Sequence, residues 1–202
     1  MKIGGVLLAG GLSQRMGGGD KCLRLLGGRT ILSHIVERAQ PQVDALVLNA
    51  NGDLSRFASY GLPIVSDPIE GFAGPLAGVL AGLDWAAANM PDADLIASFA
   101  TDAPFFPRDL VRQLGSALEQ GGFEMACAMS NGQAHPVFGL WPVTLREDLR
   151  AALEGGLRRV DRWTGKFKLV EVEFPTEPVD PFFNANRPED LIEAERLVAA
   201  AQ

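Results

Sequence analysis

Residues Val6–Leu23 read VLLAGGLSQRMGGGDKCL, an apolar run followed by a loop holding five glycines, one arginine and one lysine. Lys2–Ala9 has the make-up of a buried strand, and it runs straight into that loop. Glycine gives up side-chain packing and costs backbone entropy, so a cluster of it must serve some purpose. The usual one is close approach of the backbone to a ligand, most often a phosphate chain. A flexible surface loop is the alternative, and Arg15 and Lys21 would then be solvated surface cations.

Further along, strand-like and helix-like segments alternate. Thr30–Ala39 carries an apolar stripe of Ile31, Leu32, Ile35, Val36 and Ala39 at helical spacing. Ala45–Asn49 and Leu62–Ser66 read as short strands, the second ending at Asp67-Pro68. Leu76–Ala88 is a mostly apolar helix entered through Gly74-Pro75. Asp94–Ala100 is a buried strand ending at Thr101-Asp102-Ala103-Pro104. Pro107–Glu119 is amphipathic, with Pro107 suited to a first turn. Met125–Met129, Val137–Trp141 and Leu169–Phe174 read as later strands, and Leu145–Leu153 and Pro188–Ala200 as helices. Strands separated by helices predict right-handed crossovers and a doubly wound, mostly parallel mixed sheet, with one domain over residues 1–202. Ligands of such sheets bind beyond the carboxyl ends of the strands, where Gly10, Gly11, Asn49, Asp67 and Asp102 would converge.

Composition narrows the function. The 202 residues are 47% hydrophobic and 21% charged, with a formal net charge of −7. That balance argues against a nucleic-acid-coating surface, which needs clustered Lys and Arg. It leaves room for a small anionic ligand in a locally positive pocket. Two cysteines (Cys22, Cys127) and two histidines (His34, His135) form no zinc-ligand spacing. No apolar run is long enough for a membrane span, and no secretory leader is legible, so a cytoplasmic enzyme with reduced thiols is expected. The glycine loop also fails two common fingerprints. Lys21 is followed by Cys22, where a P-loop needs Ser or Thr, and Gly17-Gly18-Gly19 lacks the spacing of a dinucleotide turn.

The loop LAGGLSQRMGGGDK resembles the signature of MobA-type molybdenum cofactor guanylyltransferases, within the nucleotidyltransferase superfamily. The likeness extends through Asn49-Ala50-Asn51, Gly74-Pro75-Leu76-Ala77-Gly78 and Thr101-Asp102-Ala103-Pro104-Phe105. It continues through His135-Pro136, Arg158-Arg159-Val160 and Asn184-Ala185-Asn186-Arg187-Pro188-Glu189-Asp190-Leu191, in the family's order. Arg187 stands where that family carries threonine. The resemblance implies a three-layer Rossmann-like α/β fold with an N-terminal GTP-binding part and a C-terminal molybdopterin-binding part. It also implies transfer of GMP from GTP to molybdopterin, with Mg2+ as cofactor and pyrophosphate as leaving group. Transient contacts with cofactor-pathway proteins and recipient oxidoreductases follow from the same likeness.

By resemblance, Leu8, Ala9, Gly10, Gly11, Lys21, Asn49, Asp67 and Asp102 bind GTP, and Asp102 also binds the metal. Arg15, Lys21 and Asp102 act in the reaction, with Gly18 in the phosphate loop. Arg159, Asn184 and Asn186 meet molybdopterin. Alternatives stand beside these roles. Asp102 could cap the turn into the helix that follows, Asn186 could cap the last helix, and Arg158 and Arg159 could be solvated cations. His135 reads as structural, Cys22 and Trp85 as packing residues.

The chemistry is coherent with few histidines. The nucleophile would be a phosphate monoester, already largely dianionic at neutral pH, so no dedicated base is required. Catalysis then reduces to aligning two anions and cancelling their repulsion. Rival readings are a CTP-using relative, where LAAG would be expected, a sugar-phosphate nucleotidyltransferase, and a non-catalytic nucleotide-binding module. Gly10 is expected to lie against the purine, so that a methyl group there would push the base off its contacts.

Overall fold

The computed structural model describes residues 1–10, 20–69, 71, 74–184 and 188–200. Gly11, Arg15, Gly18, Asn186 and Arg187 lie outside the described residues.

The first strand, β1 (Ile3–Leu8), is buried on both faces, as its apolar run requires. It pairs in parallel with β4 (Ala45–Asn49) on one side and β6 (Leu95–Ala100) on the other. β5 (Ile64–Val65) extends the parallel half beyond β4. On the other flank β8 (Gln133–Pro142) runs antiparallel to β6, and β7 (Met125–Ser130) antiparallel to β8. β9 (Leu169–Glu173) closes the sheet in parallel with β7, giving the order β5-β4-β1-β6-β8-β7-β9. A small hairpin, β2 (Leu25–Leu26) with β3 (Arg29–Thr30), stands apart.

Helices cover both faces, so the fold is the expected three-layer α/β arrangement with a mostly parallel mixed sheet. On one face α1 (Ile31–Ala39) and α3 (Leu110–Gly121) pack over Leu7, Leu48, Phe99 and Leu140. On the other, α2 (Pro75–Asn89), α4 (Arg146–Glu154) and α5 (Val160–Thr164) cover Val6, Val47, Ile96 and Trp141. α6 (Pro188–Ala200) returns to the first face, with Ala194 in its core.

Local rules account for the ends. Thr30 caps α1, its Oγ1 accepting from the Ser33 N–H at 3.2 Å. α3 starts three residues later than expected, because Pro107 belongs to the turn before it. There Gln42 reaches across from the end of α1. Its Oε1 accepts from the Val111 N–H at 3.0 Å and its Nε2 donates to the Pro107 carbonyl at 3.0 Å. A distant side chain thus satisfies the first-turn donor. β8 begins four residues earlier than its apolar run suggests, because Asn131-Gly132, both at positive φ (48° and 70°), forms a tight hairpin with β7. The short helix α5 and the β2–β3 hairpin were not legible in the apolar pattern.

Helix α2 comes close to the sheet because two of its residues lack a side chain. A methyl group on Gly82 would stand 2.8 Å from Val6 Cβ, and one on Gly78 would stand 2.8 Å from Leu8 Cδ2 and nearer still to Asn49 Oδ1. Gly82→Ala therefore overpacks the α2–β1 seam away from any ligand. We expect it to cost about 1–3 kcal/mol, lowering Tm by roughly 2–10 °C in a thermal melt. An unchanged Tm would mean that α2 can move off the sheet without loss.

Candidate functional site

β1 has β4 on one side and β6 on the other, so the chain leaves the carboxyl ends of β1 and β6 in opposite directions. A crevice opens at such a switch point. Thr101 bridges its floor, its Oγ1 donating to the Leu8 carbonyl at 2.9 Å. Above lies a cavity of about 380 Å3. Its walls include Leu8, Ala9, Gly10, Lys21, Asn49 and Asp102, so six of the eight positions expected to hold GTP share one space. Gly11 lies outside the described residues.

Asp67, the remaining expected position, does not line the cavity. It supports those that do. Its carboxylate accepts from Asn49 Nδ2 at 2.9 Å and from Asn51 Nδ2 at 2.8 Å, and its own N–H donates to Asn51 Oδ1 at 3.0 Å. An ionised carboxylate only accepts, so it fixes both amides with their nitrogens toward it. Asn49 is 2% exposed, which makes that bond costly to lose. Gly10 packs against the same group. A methyl group there would stand 3.0 Å from both Asn49 Oδ1 and Asn51 Nδ2. Within the protein itself, then, a methyl group on Gly10 would press on this amide pair.

Asp102 follows β6 and is half-buried. Burial pushes its carboxyl above the usual range, and the Lys21 ammonium partly opposes that shift. The helix after it is α3, whose N-cap is Asp109, so Asp102 is not a cap. Lys21 stands at the start of a short helical turn, next to Asp20. Arg56 fastens this end of the glycine loop to the strand edge, a role not visible in the sequence. Its Nε and Nη2 donate to the Asp20 carboxylate, Nη2 also to the Asn51 carbonyl at 2.8 Å, and its guanidinium lies over the Phe57 ring at 4.6 Å.

His135, Val137 and Phe138 also line the cavity, with Asn184 exposed beside them. β8 supplies the first three through an irregularity. Cys127 on β7 faces Gly139, yet the next residue, Ala128, faces His135, so Pro136, Val137 and Phe138 bulge out of the pairing. Proline cannot donate to a ladder, and bulges re-aim side chains. A proline inside an apolar run was the available signal. Arg159 is elsewhere: it precedes α5, exposed, with its Nε donating to Asp161 Oδ1 at 3.0 Å.

Among the described residues no group of three or more His, Cys, Asp or Glu side chains could hold a metal ion. A hard divalent cation needs less than that where phosphate oxygens and waters complete its shell. One desolvated carboxylate beside a phosphate-sized space fits this donor set. No helix among the described residues is long and apolar enough to cross a membrane.

Residues 5–169 match the MobA-like NTP transferase domain. The chain is 57% identical over 198 residues to a molybdenum cofactor guanylyltransferase of Bradyrhizobium sp. (strain ORS 278), covering 98% of this chain and 93% of that one. It is 55% identical to the protein of the same name from Nitrobacter hamburgensis, covering 96% and 94%. Among solved structures, molybdopterin-guanine dinucleotide biosynthesis protein A from Archaeoglobus fulgidus shares the fold. Its TM-score is 0.78 at 21% identity, over 98% of this chain and 99% of that one.

Both cysteines are packing residues. Burial pushes the thiols of Cys22 and Cys127 up to about 12. At pH 8 the thiolate fraction is then on the order of 10⁻⁴. A thiol-disulfide reagent should therefore titrate neither cysteine rapidly in the native protein and both after denaturation. Fast native reaction at Cys22 would mean that the cavity floor opens to solvent.

Proposed function

The chain belongs to the MobA-like NTP transferase family, and from that membership we propose that it transfers GMP from GTP to molybdopterin. The product is a molybdenum guanine dinucleotide cofactor. The observation that carries this reading is that Gly10, Lys21, Asn49, Asp102, His135 and Asn184 all line one cavity.

In this reading Leu8, Ala9, Gly10 and Gly11 line the nucleoside and the start of the triphosphate. Asn49 faces the same half, held by Asp67. Lys21, with Arg15 in the glycine loop, neutralises phosphate oxygens, and Asp102 holds Mg2+. When bound, Mg2+ offsets charge on the triphosphate. The acceptor's phosphate oxygen attacks the α-phosphorus of GTP. That P–O bond forms as the bond from the α-phosphorus to the β-phosphate's bridging oxygen breaks, and pyrophosphate leaves with both electrons. Because the nucleophile is already deprotonated, the protein's work is alignment and charge cancellation. Asn184 and Asn186 meet the acceptor. Arg159 joins them by exchanging its exposed partner Asp161, and an ion pair in so much water is weak enough to give way.

The test is release of pyrophosphate from GTP, CTP and ATP with molybdopterin present, compared by kcat/KM. A strong preference for GTP is expected, since a site that hydrogen-bonds its substrate discriminates by factors of about 10⁴. Equal use of CTP would defeat the guanylyl assignment while leaving nucleotidyl transfer intact. Failure with every nucleotide would favour a non-catalytic binding module.

Asp102→Asn keeps the shape of the side chain and removes its charge. Turnover should fall by roughly a hundredfold or more, the scale of one key electrostatic group. Near-normal Mg2+-dependent turnover in a folded variant would remove Asp102 from this role.

A further inference from the structure

Ser130, at the end of β7, is 1% exposed and sits between two polar groups. Its Oγ lies 3.0 Å from each oxygen of Asp180 and 2.7 Å from His135 Nε2. The carboxylate also accepts from the Phe182 N–H at 2.9 Å. Proton bookkeeping settles the direction of this chain. Asp180 can only accept, so the single hydroxyl proton of Ser130 goes to it. The short contact to His135 must then be a bond donated by Nε2–H to the serine oxygen. The serine proton is thereby committed to Asp180, and one of its two lone pairs to His135.

The same bookkeeping fixes the imidazole. With Nε2 carrying the proton, the neutral ring keeps a lone pair on Nδ1, which has no hydrogen-bond partner among the described residues. One face of the ring is covered by Phe182, stacked at 4.7 Å between centroids. The residue lines the same cavity as Lys21 and Asp102, where the bulge around Pro136 presents it. Burial pushes the imidazole pKa below its ordinary value, outweighing the nearby carboxylates of Asp180 and Glu173, so the ring is neutral at pH 7. A neutral ring with a free lone pair seeks an N–H or O–H donor. The reduced pterin of the acceptor is rich in N–H groups, whereas its phosphate is mostly without protons at neutral pH.

We propose that His135 Nδ1 accepts a hydrogen bond from an N–H of the acceptor's pterin, and that Ser130 and Asp180 are positioning residues that hold the required tautomer. The inference rests on the proposed guanylyl transfer to molybdopterin for the identity of the acceptor. Asp180 has a second effect. Anchored to Ser130, it ties down the segment that carries Asn184 to the cavity rim.

Two amide substitutions separate recognition from packing. In His135→Gln the amide nitrogen can replace Nε2 and go on donating to Ser130, but no acceptor remains at Nδ1. In His135→Asn the amide oxygen can replace Nδ1, but nothing reaches Ser130. The measurements are equilibrium dialysis of molybdopterin and of GTP, with Tm for each variant. His135→Gln should weaken molybdopterin about fivefold or more, the scale of one neutral hydrogen bond, with GTP affinity and Tm kept. His135→Asn should bind molybdopterin better than His135→Gln. Ser130→Ala, which frees the tautomer, should weaken molybdopterin and leave GTP unaffected.

Wild-type affinity in His135→Gln, or His135→Asn binding no better than His135→Gln, would overturn the proposal and leave His135 a packing residue. Equal loss of GTP and molybdopterin in Ser130→Ala would overturn it too. A wild type that binds molybdopterin yet uses CTP overturns the guanylyl reading alone. A wild type that does not bind molybdopterin overturns both.

Discussion

The cavity depends on one buried amide. Asn49 ends β4 with its side chain almost wholly out of water, between the glycine turn after β1 and the first turn of α2. Left unpaired there, the amide would cost about 1–3 kcal/mol. Asp67 removes that cost by accepting from it, and Asn51 holds Asp67 in turn. The geometry leaves no slack. Gly10 on one side and Gly78 on the other lack the methyl groups that would collide with the amide. Three loops from distant parts of the chain are thus cut to fit one side chain. That common fit brings the ends of β1, β4 and β5 into one edge.

Much of this edge was legible in the sequence because its signals are local. An apolar run into glycines, a strand ending in Asn49, and a strand ending at Thr101-Asp102 each announce themselves within a few residues. The rule that strand ends converge then supplied the third dimension. Where the sequence misled, an interaction from far away had decided the matter. The start of α3 is set by Gln42, which donates and accepts across more than sixty residues of chain. Asp67 ends a strand, and what the sequence does not show is that its two oxygens each accept from an amide, Asn49 and Asn51. No periodicity encodes such choices.

The acceptor wall was least legible for a related reason. Its polar chain draws on β7, β8 and the segment around Asp180, and none of the three is unusual alone. His135 read as structural, and in one respect it is, since Nε2 is bound within the protein. What could not be read was that this bond leaves the other nitrogen for a ligand. Arg56 escaped notice similarly, as an ordinary cation in a polar stretch. Its importance comes from joining Asp20 to the Asn51 turn.

The two walls also differ in how they are built, and the difference bears on what each can recognise. The nucleotide wall belongs to the parallel half of the sheet. There strand ends present backbone and short side chains, suited to phosphates. The other wall comes from the antiparallel half, where a bulge at Pro136 turns His135, Val137 and Phe138 toward the cavity. The two halves meet at β6 and β8, where Ser98 Oγ donates to the Val137 carbonyl at 2.8 Å and accepts from Trp141 Nε1 at 2.7 Å. The polar chain from His135 through Ser130 to Asp180 belongs to this antiparallel half, so what orients the imidazole is built from β7, β8 and the segment after β9, apart from the amide group that holds the ends of β1, β4 and β5.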